Sequence, residues 1–394
     1  MSAILIEPSS HDTKAGLRIL QCVRVPEGGI LRHIRDLLQQ LGRLGTSLAI
    51  VYDADAELPA SVERELAAYC NLGVLRLSIP RRPAARDAAN IAKLVRFCRK
   101  VGIDVIHGHG AKGGLYARVV GRLLGHPSVY TPHGGVLHYS RARPNGFVYL
   151  GIERLLLPWT GVVILESEFA NREFHAKIGA PASAKVIHNG IAEDDFCTAA
   201  PEDRRFDFAY VGLMRRIKGV DVLLRAAARL EAEGLSFQLG LFGAGPDEAA
   251  FRALGRSLGL TSVTWCGPTR TGREALATAR CLIVPSRRES LGYVVMEAAA
   301  MGIPAIANDV GGIPEIVGPD HPLVPVEDVG ALAARMRAFL DDPVAAEAGA
   351  IAIRARVAER FRVEDMAKGI EAVYRRLHLS RMRLLPAETP ASRR

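Results

Sequence analysis

The sequence predicts an α/β chain built as two doubly wound domains, and three observations carry that prediction. Short apolar runs alternate with amphipathic stretches through the whole 394 residues. A second such series begins near Phe206, behind the short polar stretch TAAPEDRR. The length suits two to three domains of about 150 residues each. Strand–helix alternation calls for a parallel sheet covered by helices, and right-handed crossovers favour winding that sheet outward in both directions from its middle.

Taken in order, the expected strands of the first half are residues 17–25, 47–52, 74–79, 105–107, 128–131, 162–165 and 185–188, each a short apolar run. Apolar residues at helical spacing fill gaps between them at 31–44, 91–101 and 115–124. In the second half the expected strands are 208–211, 238–242, 263–265, 281–284 and 305–307, with a helix at 220–230. The domains are therefore expected at 1–200 and 201–380, the final helix of the second being free to pack back on the first. A basic, Pro-containing tail is expected at 381–394.

Composition excludes several classes. Hydrophobic residues make up 49% and charged residues 24%, which excludes a disordered or disulfide-stapled chain. The net charge of +9 suits phosphate-bearing ligands, anionic lipid surfaces or nucleic acid and does not choose among them. Aromatic residues, at 6% and scattered, give no stacking surface for nucleic acid, so no nucleic-acid partner is expected. The six cysteines form no CxxC and read as reduced thiols of a cytoplasmic protein. The apolar run at 3–6 is too short for a signal peptide. The most apolar stretch, 147–165, is interrupted by Glu153, Arg154 and Pro158, so it reads as a buried helix and strand and not as a membrane span. Any membrane contact is expected from the surface, at the inner face of the cell membrane.

The chemistry concentrates in VPSRRESLGYVVMEAAAMGIPAIANDVGGIPEIVG, at 284–318. It reads as strand, loop, helix, strand and glycine loop. Glu289 falls in the loop and Glu297 in the second helical turn. The amides of Leu291, Gly292 and Tyr293 would point outward at the helix start, and such free donors at the positive dipole end bind anions. A phosphate cradle beside two hydroxyl-accepting carboxylates suits a nucleotide sugar. Lys218, ahead of Gly219 and a helix, can neutralise a diphosphate. Gly28 and Gly29, between a strand and a helix, can turn amides toward a ligand. His133 follows a strand end in TPHGG. Lys112, in HGAKGG, could meet an acceptor phosphate. The pair His107 and His109 forms an HxH without a spaced carboxylate, so no metal is expected. Asp53-Ala54-Asp55 reads as a turn. Gly243-Ala244-Gly245 has Glu248 where a dinucleotide loop needs its third glycine.

The segment 285–317 resembles the sugar-nucleotide loop of the family 4 retaining glycosyltransferases, whose ExxxxxxxE pair matches Glu289 and Glu297. PEGGILRHIRDLLQQL, IDVIHGHGAKGGLYARVVGRLLGHPSVYTPHGG, KVIHNGI, VGLMRRIKGVDVLLRAAARL and LFGAGPDEAAFRALGRSLGL extend the resemblance over most of the chain. It implies the GT-B fold: two Rossmann-like domains facing across a cleft, the first binding the acceptor and the second the nucleotide sugar. It implies that Glu289 contacts the transferred sugar, Glu297 the ribose and Lys218 the diphosphate, with His133 close to the sugar and Gly28 and Gly29 bordering acceptor and donor phosphates. The family's arginine, five residues before the lysine, is here Leu213, which leaves Arg215 or Arg216 as the second cation, Arg215 being favoured. The loop at 267–270 is expected to meet the base.

The expected activity is transfer of a sugar from a nucleoside-diphosphate sugar to a lipid-linked saccharide or a lipopolysaccharide or exopolysaccharide intermediate. It would proceed with retention and need no metal or other cofactor. The rivals are a sugar-nucleotide epimerase on the same architecture and a degenerate, transferase-like binding protein.

Overall fold

A computed structural model describes residues 16–197, 204–269 and 271–384. The apolar run at 3–6, most of the stretch TAAPEDRR, Arg270 and the tail beyond residue 384 lie outside the described residues. The first sheet contains β1 (Arg18–Val23), β2 (Ser47–Asp53), β3 (Gly73–Leu77), β4 (Val105–His109), β5 (Ser128–Thr131), β6 (Val162–Leu165) and β7 (Ala184–Val186). Its order is β3-β2-β1-β4-β5-β6-β7, and its pairings are parallel. The second sheet contains β8 (Phe206–Val211), β9 (Leu239–Phe242), β10 (Val263–Gly267), β11 (Ala279–Val284) and β12 (Ala305–Ala307). Its order is β10-β9-β8-β11-β12, again parallel. Both sheets are doubly wound, as the alternation of apolar runs predicts.

The chain divides into two compact units. Among the described residues, one comprises those up to Glu166, Asn171–Ile187 and those from Glu364 onward; the other comprises Ser167–Ala170 and those within His188–Val363. Residues 188–197 join the second unit because Ile191 bridges Arg362 there. The helix Val363–Leu384 is thereby shared in sequence, its body belonging to the first unit.

Strands buried on both faces explain why the sequence shows continuous apolar runs; every residue of β2 is buried. Helices begin earlier than their apolar periodicity does. The helix Gly28–Arg43 starts three residues ahead of Leu31, and its buried Ile34, Leu37, Leu38 and Leu41 define one stripe. Its first turn opens on the exposed Gly28 and Gly29 and so leaves no periodic signature. Asp53 forms a turn, with Oδ1 accepting from the amides of Asp55 and Ile79 at 3.3 and 2.9 Å. Gly243 and Gly245 press against the backbone of Gly212 and Met214, where a Cβ would lie 1.9 and 2.5 Å from a carbonyl oxygen. None of the six cysteines is in a disulfide.

One expectation is corrected. The helix Pro144–Leu156 is not buried all round: it buries Gly146, Leu150, Glu153 and Leu156, while Phe147 and Leu155 are 70% and 72% exposed. Glu153 turns inward to an ion pair with the fully buried Arg118 at 2.8 Å, and the Tyr130 hydroxyl donates to it at 3.0 Å. Among the described residues no helix is long and apolar enough to cross a membrane.

Removing one partner of a buried ion pair strands the other. Glu153→Ala is therefore expected to lower stability by about 3–5 kcal/mol, read as a shift in the denaturant midpoint.

Candidate active site

In a doubly wound sheet ligands bind where the strand order reverses. In the second unit that point lies between β8 and β11, which pair directly. The loop 212–219 follows β8 and the loop 285–292 follows β11. Gly219 has φ +71°, and a Cβ on it would lie 1.8 Å from the Pro285 carbonyl oxygen, so only glycine lets the two loops close together. The Arg287 amide donates to the Ile217 carbonyl at 2.9 Å, completing the join.

Lys218 Nζ therefore reaches Glu289 Oε1 at 2.6 Å, and Ser286 Oγ donates to the same oxygen at 2.8 Å. Gly311, with φ +66°, seats the glycine loop against Glu289, where a Cβ would fall 2.2 Å from its carbonyl oxygen. The Gly312 amide donates to the Ser290 carbonyl at 3.1 Å. Burial, and then the Glu289 charge, raise the pKa of the nearby Tyr210. Gly292, at φ +111°, caps the helix Tyr293–Ala300, so the amides from Leu291 to Tyr293 lie at the helix start, while the Leu291 side chain is buried in the core. Glu297 stands half-buried in the second turn, its Oε2 filling the space that a Cβ at Gly272 would invade at 2.6 Å. Arg215 and Arg216 are both exposed. Arg287 is committed elsewhere: its guanidinium grips Asp221 at 2.7 and 2.9 Å and also binds Glu327. Burial would raise the Asp221 pKa, but bonds from Arg287 outweigh it and hold the carboxyl below its ordinary range.

The first unit reverses its order between β1 and β4. Gly28 and Gly29 lie exposed at the first turn of the helix after β1, with φ +53° at Gly28 and open space around it. His133, two residues past β5, holds φ +52°, one of two positive values outside glycine among the described residues. Such strain persists only where surroundings impose it. His133 Nε2 lies 2.9 Å from His109 Nδ1 in the last residue of β4. His33, His109 and His133 bring ring nitrogens within 4.8 Å of one another, with no carboxylate or thiol in the group among the described residues. Burial, and next the neighbouring imidazoles, lower the pKa of His107 and His133, and likewise of His109, so the rings are neutral near pH 7. Lys112 does not stand open to a phosphate, because Asp87 holds its Nζ at 2.6 and 2.8 Å.

Two family models divide the chain between them. Residues 27–195 match "Glycosyltransferase Family 4", and residues 205–342 match "Glycosyl transferases group 1". The chain belongs to the family 4 glycosyltransferases. This glycosyltransferase is 27% identical over 385 residues to D-inositol 3-phosphate glycosyltransferase of Mycobacterium avium, covering 89% of each chain. It is 25% identical to N-acetyl-alpha-D-glucosaminyl L-malate synthase of Bacillus anthracis, covering 73% of this chain and 78% of the relative. Its fold matches sucrose-phosphate synthase of Thermosynechococcus elongatus with a TM-score of 0.77 at 24% identity, covering 92% and 100% of the two chains. It also matches Anabaena Alr3699/HepE, solved in complex with UDP and glucose, with a TM-score of 0.76 at 19% identity over 90% and 98%.

Sequence reasoning passed over Ser286, Gln21, His33, Thr131 and Tyr374. A glutamine inside the apolar strand RILQCV was the visible signal for Gln21. Tyr374 had none, since Gln21 and His107, which its hydroxyl bonds, lie 353 and 267 residues before it.

Gly219→Ala drives a methyl group into the Pro285 carbonyl at a positive φ. It is expected to lower stability by about 1–3 kcal/mol and to reduce turnover of nucleotide sugar, checked by thermal melting and a coupled assay of released nucleotide.

Proposed function

We propose that this glycosyltransferase moves a sugar from a nucleoside-diphosphate sugar, with retention and without a metal. The acceptor is a hydroxyl of a lipid-linked saccharide or of a lipopolysaccharide or exopolysaccharide intermediate, at the cytoplasmic face of the membrane. The observation that carries the donor half is the meeting of Lys218 and Glu289 at the strand-order reversal, 2.6 Å apart beside the start of an eight-residue helix. Breaking the anomeric bond releases charge onto the diphosphate. Lys218, Arg215 and the amides of Leu291, Gly292 and Tyr293 stabilise that charge, and preorganised donors of this kind contribute on the order of several kcal/mol. Cations and amides can thus do what a divalent ion does elsewhere. Glu289 orients the sugar hydroxyls, Glu297 accepts from the ribose and His133 contacts the sugar. Gly28 and Gly29 supply amides toward phosphate. Retention follows from the family resemblance, with the departing phosphate taking the acceptor's proton. Alr3699/HepE, solved with UDP and glucose, supports a nucleoside diphosphate as the leaving group.

A second observation supports the membrane. The helix Pro144–Leu156 turns Phe147, Val148 and Leu155 to solvent, with Tyr139 and Trp159 partly exposed on its flanks. Arg141, Arg143 and Arg154 are exposed around them, while Glu153, the single acid between residues 139 and 160, is buried. Exposed apolar and aromatic groups ringed by arginines suit an anionic lipid interface.

Glu289→Gln is expected to keep its melting temperature and lose roughly 100-fold or more in transfer, measured as donor-dependent product by mass spectrometry. Full transfer by that variant would overturn the role given to Glu289. Phe147→Asp combined with Arg143→Glu is expected to abolish sedimentation with phosphatidylglycerol vesicles at low salt, and unchanged sedimentation would remove the membrane reading.

A further inference from the structure

Three histidines of the first unit, His107, His109 and His133, are joined through Gln21 and Tyr374 in a single row of hydrogen bonds whose direction follows from the Gln21 amide. Gln21 Oε1 lies 2.7 Å from His109 Nε2. An amide oxygen only accepts, so His109 carries its proton on Nε2. A neutral imidazole has one N–H, so His109 Nδ1 holds a lone pair, and His133 Nε2, 2.9 Å away, must donate to it. On the other side the Gln21 amide nitrogen donates to the Tyr374 hydroxyl oxygen at 3.2 Å. That hydroxyl keeps its own proton and, buried, has His107 Nδ1 at 2.6 Å to receive it. His107 then carries its proton on Nε2 and donates to Thr131 Oγ1 at 2.8 Å. Thr131 ends β5 two residues before His133, so the row closes on itself through the backbone. Gln21, His107, His109, Thr131 and Tyr374 are all buried, which excludes water as a competing partner along most of the row.

We propose that Gln21 and Tyr374 are positioning residues that fix His133 as the Nε2–H tautomer, leaving Nδ1 as a hydrogen-bond acceptor selective for a sugar hydroxyl over a phosphate oxygen. The proposal rests on the reading that His133 contacts the donor sugar. A neutral imidazole presenting a lone pair accepts from a hydroxyl and is repelled by an oxyanion, so the row decides which part of a nucleotide sugar this side chain can meet. It also explains why a helix from the far end of the sequence delivers a tyrosine to the centre of the first sheet. Without the Tyr374 hydroxyl, Gln21 loses the partner that orients its amide. Without Gln21, no partner in the row fixes which of the two protonation patterns the His109–His133 pair adopts.

The test reads tautomers directly, by long-range 1H–15N correlation on protein labelled at histidine. At pH 7.5 the unsubstituted protein should show His133 and His109 protonated on Nε2. Gln21→Met, which keeps the volume and removes both polar atoms, should mix the tautomers. It should also lower kcat by about tenfold while the donor KM moves little, the signature of a lost transition-state contact. Gln21→Glu guards against a folding defect, because a carboxylate still accepts from His109. It should keep the His133 tautomer and recover most of kcat above pH 8. Its negative charge favours His109 imidazolium, which cannot accept from His133, so the acid limb of the kcat profile should move to higher pH. The groups facing His109 are His33 from the helix Gly28–Arg43, His107 in β4, His133 after β5 and Gln21 itself, with Tyr374 one step further on against His107, and none is a carboxylate that would mask this shift. Finding His133 protonated on Nδ1, or finding tautomer and kcat unchanged in Gln21→Met, would overturn the proposal. The spectrum needs no turnover, so this failure is separate from failure of the sugar-contact reading, which undiminished transfer by His133→Ala would reveal.

Discussion

Lys218 and Glu289 stand 2.6 Å apart at the ends of neighbouring strands, and the second unit is arranged so that they can. The pair does little for stability. Lys218 is 28% exposed, and ion pairs open to water contribute about 0–1 kcal/mol. What holds it is backbone. Gly219 lies against Pro285, Arg287 donates to Ile217, and the loop at 311–312 clamps residues 289–290. Three loops from three strand ends are thereby locked together by main-chain contacts, to which Arg287 adds a bond to the Arg216 carbonyl and Asn308 one to the Ser286 carbonyl, leaving Lys218 and Glu289 out of the fastening. A lysine held in place by main-chain contacts and only weakly by its carboxylate is preorganised, yet it can exchange that partner for a ligand carrying more charge.

The two units apply the same topology to different chemistry. Each reverses its strand order beside its first strand and gathers polar groups there. The second unit collects a lysine, two glutamates and helix-start amides, a set suited to phosphate and ribose. The first collects imidazoles that burial keeps neutral, a set suited to hydroxyl groups and poor at holding an anion. The difference follows from depth. His107 and His109 are inside the sheet itself, where a charge would lack solvation, whereas Lys218 is on a loop.

The doubly wound fold was legible because both-face burial writes itself as apolar runs, and β5, β6 and β12 match the expected spans to the residue. Helix starts were not legible, because a first turn such as Gly28-Gly29-Ile30 opens on exposed glycines that carry no apolar period. Glu289, Lys218 and His133 stood out through the glycines and strand ends beside them. The fate of Lys112 was hidden, since its ion pair with Asp87 joins residues 25 apart that no local pattern connects. The exposure of Phe147 and Leu155 was hidden for a different reason: composition reports how apolar a helix is, and only packing reports which way it faces.

The placement of Tyr374 has a consequence for biogenesis. Its hydroxyl completes a polar ring among strands made long before it, since it is synthesised only after the whole of 188–363 has emerged. The early sheet can collapse on its apolar runs while the ribosome is still working, but its buried glutamine and imidazoles must wait, under-satisfied, for a helix some 350 residues downstream of Gln21. A nascent chain stalled before that helix would carry an amino-terminal lobe with a polar flaw at its centre, a natural substrate for chaperones.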